Sequence, residues 1–249
     1  GALSLDKAPL RLVGHNNFIE RIRKQLMHFG EGMIDPISQQ KGDIFGLIGR
    51  NGAGKSSLLR ILAAIDSPVS GEVIVGGKPL HKTSAEERAK VISFVSTQRI
   101  RVANLLCRDV VATGRAPYTN WIGKIGKEDS EIISNSLAAV GMTTFADRAI
   151  DTLSDGEFQR IMIARALAQQ TPIILLDEPT AFLDIPTRFE ICRLLADLAH
   201  NQGKTILFST HDIDAALTVC DSVAIMDNAS ISVHSAADAA DILKVLFSL

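Results

Sequence analysis

Short β-branched and aliphatic runs alternate along the chain with longer stretches of helical periodicity. That alternation predicts an α/β fold, with a largely parallel sheet covered by helices. Residues 43–49 (DIFGLIG) are apolar enough for a strand buried on both faces, and residues 55–65 (KSSLLRILAAI) have helical spacing. A glycine-rich turn separates them. Residues 73–75 and 91–95 predict two further strands, with Gly76-Gly77 as a turn. From about 99 to 153 the periodicity is mainly helical. One helix near 128–140 carries Ile132, Ile133, Leu137 and Val140 on a face and is stopped by Gly141. This stretch is expected to form an inserted helical lobe. A helix over 158–170, a strand at 172–176 (PIILL), a helix near 186–200 and a strand at 205–209 (TILFS) follow. A weaker strand at 222–226 then precedes an Ala-rich helical tail. Residues 20–29 (ERIRKQLMHF) fit a basic helix or an alternating strand equally well.

The chain has 249 residues, 46% hydrophobic and 22% charged, which suits a packed domain and excludes wholesale disorder. With 26 basic and 28 acidic side chains the formal charge is −2, so no electrostatic footprint for nucleic acid is present. Cys107, Cys192 and Cys220 are too widely spaced for a zinc site or a disulfide framework, which fits a reducing compartment. The longest uncharged stretch, 132–146, is interrupted by polar residues and falls short of the roughly 18 apolar residues of a membrane span. The opening GALSLDKAPLRL has no apolar signal core. The expectation is a cytoplasmic protein, at a membrane only if a partner holds it there.

Gly49, Arg50, Asn51, Gly52, Ala53, Gly54, Lys55 and Ser56 fit G-x-x-x-x-G-K-[ST], the P-loop, lying between a strand and a helix as that motif requires. The glycines let backbone N–H groups wrap a phosphate chain, with the helix N-terminus and Ser57 behind them. Lys55 supplies a point charge for the β- and γ-phosphates, and Ser56 a hydroxyl for Mg2+. Farther along, four apolar residues run into Asp177 and Glu178, placing two acids at the carboxyl end of a buried strand, where open α/β sheets bind ligands. Asp177 is expected to hold Mg2+ through its water shell, and Glu178 to orient or deprotonate the water that attacks the γ-phosphate. Ser154, Asp155, Gly156 and Glu157 precede a long helix. Taken alone they read as an S-x-x-E capping box, with Asp155 suited to the positive end of the helix dipole.

The P-loop, LSDGE and LLDEP, in that order and spacing, resemble the ATP-binding-cassette ATPases over residues 41–227. That resemblance implies a P-loop NTPase core of RecA type, a small antiparallel β part and an inserted α-helical subdomain. The expected limits are 1–98 and 154–249 for the core and 99–153 for the lobe, within one domain of 1–249. It also identifies Gln98 with the family's Q-loop glutamine, a metal and water ligand, Asp184 in Phe182-Leu183-Asp184 with the D-loop, and His211 with the switch histidine. The signature is usually LSGGQ. It implies a homodimer of cassettes in which ATP lies between one P-loop and the partner's signature, with Ser154 and Gly156 donating to the γ-phosphate.

Here Asp155 replaces the usual glycine and Glu157 the common glutamine. A carboxylate beside a triphosphate is repulsive, so Asp155 is expected to face away from the nucleotide. The family's adenine-stacking aromatic is expected at Phe29, unless 3–12 forms the first strand, which leaves none there. Residues 113–118 (TGRAPY), Trp121, Gly123, 127–129 and 140–148 resemble importers of iron-siderophore, haem or cobalamin. The resemblance then implies integral-membrane permease subunits as partners, a substrate-binding protein met only indirectly, and a place on the inner face of the cell membrane. A cassette ATPase that moves nothing, such as a cofactor-assembly factor, is the alternative. A binding module that has lost hydrolysis fits poorly with retention of both Glu178 and His211.

Overall fold

The computed structural model describes residues 42–68, 73–75, 78–96, 98, 102–119, 125–227 and 230–247. Phe29, the segment 20–29, Gly76-Gly77, Trp121 and Gly123 lie outside the described residues.

Strands β1 (Ile44–Gly49), β4 (Ile92–Val95), β5 (Ile173–Leu176), β6 (Thr205–Thr210), β7 (Ser222–Asp227) and β8 (Ser230–Ser235) form one sheet in the order β4-β5-β6-β1-β7-β8. Every pairing is parallel except the last. The central strands carry apolar residues on both faces, because both are covered. Ile44, Ile48, Ile174, Leu176, Ile206, Phe208, Val223 and Ile225 point into one core cluster. The intervening Phe45, Leu47, Ile173, Leu175, Leu207 and Ala224 belong to the other. The period of two in each strand therefore divides one continuous apolar run between two layers.

One layer holds helix α1 (Lys55–Leu62), whose Leu59 is fully buried, and the small antiparallel ribbon of β2 (Ile74–Val75) and β3 (Lys78–Pro79). Helix α2 (Ala85–Ala89) leads into β4, capped by Ser84 and Glu87. The opposite layer is built on α3 (Cys107–Ala112), α4 (Lys127–Ala139), α5 (Asp155–Ala168), α6 (Ile185–His200), α7 (Ile213–Val219) and α8 (Ala236–Phe247). Helix α5 is buried almost all round, by Phe158, Ile161, Met162, Ile163, Ala164 and Leu167. It packs against α3, α4, α6 and β4, which explains why its sequence lacks a clear polar stripe.

The structure departs from expectation in several places, among them β3, α2 and α7, where no element was expected. Helix α1 ends at Leu62 rather than 65, and Ala64 adopts a left-handed φ of 50°. Strand β8 has no counterpart in the sequence reading, since SISVHS offers only Ile231 and Val233 among polar residues. It forms because β7 presents an edge that its backbone can pair with in register, Val223 opposite His234 and Met226 opposite Ile231.

Within the helical layer, α4 and the end of α5 are tied together by one buried cation. Arg115 is 4% exposed, and its guanidinium donates to Asp129 (2.8 Å), to the Ala168 carbonyl (2.8 Å) and to Gln170 (2.8 Å). Tyr118 lies against the same group, 4.1 Å from its ring centroid. Arg115→Ala removes one member of a largely buried pair and should cost about 3 kcal/mol. Scanning calorimetry should then show a midpoint lower by roughly 6–12 °C. The Arg115 bond and the Gly126 N–H both hold the Asp129 carboxyl below its usual range. A depressed carboxylate stabilises the fold above its unfolded pKa, and that contribution is lost as pH falls through the folded one. Asp129→Asn should therefore destabilise at pH 7 and converge on the parent protein as pH falls below the usual aspartate range and through the lowered folded pKa. A difference as large there as at pH 7 would refute the ion pair's part.

Candidate functional site

The site lies where β1, β5 and β6 end. Strand β1 stops at Gly49, α1 starts at Lys55, and the turn between them passes through left-handed φ at Gly52 (82°) and Gly54 (98°). A side chain at either position would be strained. Gly54 caps α1 without a side-chain bond, and no acid sits in the first turn, so the helix's leading N–H groups keep their affinity for an anion. Arg50, Asn51, Gly52, Ser56 and Ser57 are exposed around this turn, and Gly49 is buried.

Lys55 is only 6% exposed. Its ammonium donates to the Gly49 carbonyl (2.8 Å) and the Arg50 carbonyl (3.5 Å), and lies 3.4 Å from Glu178 Oε1. Asp177, also nearly buried, accepts on Oδ1 from the Ser56 hydroxyl (3.0 Å) and the Ser209 hydroxyl (2.7 Å). Ser209 in turn accepts from the Glu178 N–H (2.8 Å). Glu178 sits in left-handed backbone at φ 46°, and its Oε2 lies 2.8 Å from His211 Nδ1. The structure thus brings Lys55, Ser56, Asp177, Glu178 and His211 into one hydrogen-bonded group. Gln98 stands exposed beyond the end of β4.

Chemically this group offers a cationic and amide-lined cradle for an anion, two hard oxygen donors side by side, and a carboxylate paired with an imidazole. Ser56 and Asp177 suit Mg2+, which binds through one or two protein oxygens and keeps the rest of its shell for water and phosphate.

Ser154, Asp155, Gly156, Glu157 and Asp184 are assembled elsewhere. They line a separate groove of about 450 Å³ with Arg160, Phe182, Leu183, Thr187 and Glu190. Ser154 caps α5. Its hydroxyl accepts from the Glu157 N–H (3.3 Å) and donates to Glu157 Oε2 (2.9 Å), which also accepts the Ser154 N–H (2.8 Å). The Ser154 N–H and then its hydroxyl hold the Glu157 carboxyl below its ordinary range. The capping box expected from the sequence is therefore formed. Gly156 is buried where a Cβ would meet Thr187 Cγ2 at 2.5 Å, so a larger residue fits only if the Thr187 side chain shifts. Asp184 caps α6 through the Thr187 N–H (2.8 Å), and Asp155 is exposed. Phe182 is 90% exposed, at a left-handed φ of 64°.

Ser209 escaped the sequence reading. It looked like the polar end of an apolar strand, yet it is fully buried and bonds to both Asp177 and Glu178. The available signal was the run of two hydroxyl residues, Ser209 and Thr210, closing a strand beside the acids.

Comparison with known proteins gives one concordant result. A family model described as "ABC transporter" matches residues 37–181. An uncharacterized ABC transporter ATP-binding protein of Methanocaldococcus jannaschii is 41% identical over 188 residues, 76% of this chain and 65% of that protein. The achromobactin transport ATP-binding protein CbrD of Dickeya dadantii is 34% identical over 90% of this chain and 85% of its own length. The iron(3+)-hydroxamate import ATP-binding protein FhuC of Bacillus subtilis is 41% identical over 72% of this chain and 67% of its own. Among solved structures, an inward-facing ABC transporter assigned to the metal-chelate type superposes with a TM-score of 0.74 at 30% identity, covering 84% of this chain and 79% of that one. A dimeric ATP-binding cassette in a post-hydrolysis state with ADP and Pi gives 0.68 at 28% identity, covering 79% and 87%. The chain thus spans about two thirds of the first of these relatives and most of the second.

Ser209→Ala leaves the Glu178 N–H without its partner and Asp177 with one donor fewer. The expected cost is about 1–3 kcal/mol, read as a lower denaturation midpoint at unchanged slope. A midpoint equal to that of the parent protein would take Ser209 out of the network.

Proposed function

The chain belongs to the ABC transporter family of ATP-binding cassettes, a family of ATPases, and from that premise we propose that it binds Mg-ATP and hydrolyses it to power a separate permease. The observation that carries this reading is the single hydrogen-bonded group of Lys55, Ser56, Asp177, Glu178 and His211 at the mouth of the P-loop.

In this proposal the phosphate chain lies along Gly49–Ser56 and Ser57, held by backbone N–H groups and the N-terminus of α1. Lys55 exchanges its bonds to the Gly49 and Arg50 carbonyls for the β- and γ-phosphates. Ser56, Asp177 and Gln98 hold Mg2+, which neutralises charge developing on the transferred phosphoryl group. When Lys55 turns to the phosphates, the Glu178 carboxylate is released from the ammonium 3.4 Å away and is free to meet the attacking water. It then accepts a proton as water bonds to the γ-phosphorus and the bond to the bridging oxygen breaks. His211 holds the carboxylate at Oε2 throughout. Phe29 remains the candidate for adenine stacking.

The signature groove lies apart from the P-loop, which supports a second copy of the chain as the source of Ser154 and Gly156 for each ATP. The bound partner replaces Glu157 as the acceptor for the Ser154 hydroxyl. Asp184 sits in the contact between the two copies. The lobe at 99–153 is the part that meets the permease, with Tyr118 (40% exposed) on its surface, while 1–98 and 154–249 form the nucleotide-binding core. Among the described residues no helix is long and apolar enough to cross a membrane. In this proposal the chain is a peripheral subunit on the inner face, held by its permease. The relatives named for achromobactin and iron-hydroxamate transport support a metal-chelate cargo, an iron-siderophore, haem or cobalamin.

Lys55→Ala should abolish nucleotide affinity, measured by titration calorimetry with Mg-ATP. Normal binding would overturn the P-loop assignment. Glu178→Gln should bind Mg-ATP as the parent protein does but lose turnover by about 100-fold or more. Ordinary turnover would remove Glu178 as the base. Tagged Glu178→Gln chain, purified from detergent-solubilised native membranes with ATP, should bring down a polytopic permease. Recovery of soluble proteins alone would favour a cofactor-assembly role instead.

A further inference from the structure

Arg188 occupies a position that helix electrostatics disfavour. It lies in the opening turns of α6, where the helix dipole is positive, and its Nε–H is buried with no partner among the described residues. Two bonds offset those costs. One guanidinium nitrogen donates to the Leu183 carbonyl (3.2 Å) and another to Asp212 Oδ2 (2.5 Å). Both side chains of the ion pair are largely covered, at 27% and 17% exposure.

Asp212 follows His211 directly, and it is held on three sides. Its Oδ1 accepts the Ala215 N–H (3.0 Å) to cap α7, its own N–H donates to Thr210 Oγ1 (3.0 Å), and Oδ2 takes Arg188. Burial works to raise the Asp212 carboxyl, but the Ala215 N–H, Arg188 and nearby His211 together hold it below the usual range. Leu183 lies in the other arm of the construction, between the exposed Phe182 and the helix cap Asp184. A closed circuit results. It runs from Glu178 along the chain to Leu183, through Arg188 to Asp212 and His211, and back to Glu178 Oε2. Left-handed residues, Glu178 and Phe182, bracket its backbone arm. Phe182 itself is exposed, but the backbone beside it, at the Leu183 carbonyl, is linked by hydrogen bonds through Arg188 to Asp212, next to His211.

We propose that Arg188 is a positioning residue that fixes His211 against Glu178 through Asp212, and couples that contact to the surface segment Phe182–Asp184 on which a second copy docks. The role rests on the ATPase reading of the site. It does not require Arg188 to touch nucleotide. It requires only that the distance between the Leu183 carbonyl and Asp212 be held by a two-pronged donor, which a guanidinium provides and an ammonium does not.

The test is steady-state ATP hydrolysis by the full chain, with Mg-ATP affinity and the melting point measured on the same samples. Arg188→Ala should lower kcat on the order of 10- to 100-fold, as expected when a catalytic group is misplaced by about an ångström, with the Kd for Mg-ATP within about twofold. Arg188→Lys keeps the charge but one prong only, and should fall between the two in kcat. Arg60→Ala, which breaks an exposed pair with Asp66, should match the parent protein. If Arg188→Ala fails to fold, Arg188→Lys decides, with kcat several-fold down at unchanged Kd as the supporting result. A folded Arg188→Ala with parental kcat, a parallel loss of affinity, or a fully active Arg188→Lys beside an unfolded Arg188→Ala would each overturn the positioning role. Absence of any Glu178-dependent hydrolysis in the parent chain would instead overturn the ATPase reading beneath it.

Discussion

One carboxylate oxygen holds the site together. Asp177 Oδ1 accepts hydroxyl protons from Ser56 on α1 and Ser209 on β6, so the start of a helix and the ends of two strands are fixed to a single atom. Asp177 is 8% exposed, and a carboxylate so far from water is tolerable only because those donors replace its hydration. Ser209 then passes the constraint on, since it also accepts the Glu178 N–H and holds that residue in its left-handed conformation. Without Asp177 the P-loop and the acid that faces it would have no common reference point.

The sheet makes this convergence possible. Because β1 pairs with β6, and β6 with β5, three neighbouring parallel strands end at the same edge. The residues that follow them, Arg50, Asp177 and His211, belong to distant parts of the sequence yet open onto one crevice. The same topology sends α5 and α6 to the opposite layer, where their N-termini form a groove with different chemistry. Both of those helices satisfy their leading N–H groups from their own side chains, Ser154 and Glu157 in one and Asp184 in the other. Helix α1 does not. That contrast leaves the N-terminus of α1 open to an anion, while those of α5 and α6 are capped from within the chain.

Most of the fold was legible because parallel strands buried on both faces must be apolar throughout, and runs such as IFGLIG and TILFST have few alternatives. The P-loop was legible because glycine spacing followed by Lys-Ser is a backbone requirement rather than a packing preference. Strand β8 was not, since its pairing depends on an edge offered by β7 and not on its own composition. Ser209 and Arg188 were missed for a related reason. A serine at the end of a strand and an arginine in a helix are ordinary in sequence, and acquire meaning only through partners far along the chain. The contact between Lys55 and Glu178 likewise joins the start of α1 to the residues that follow β5, and no spacing rule anticipates it.

The chain by itself presents a phosphate cradle and a signature groove that do not share a lining residue, and the central claim is that two copies must meet for either to be complete. The most direct measurement is specific ATPase activity as a function of chain concentration, with molar mass followed by light scattering in the same buffer. A site completed in trans predicts specific activity that rises with concentration at the dilute end and levels off as the mass approaches that of a dimer. Specific activity that stays constant down to concentrations where only monomer is present would contradict the account.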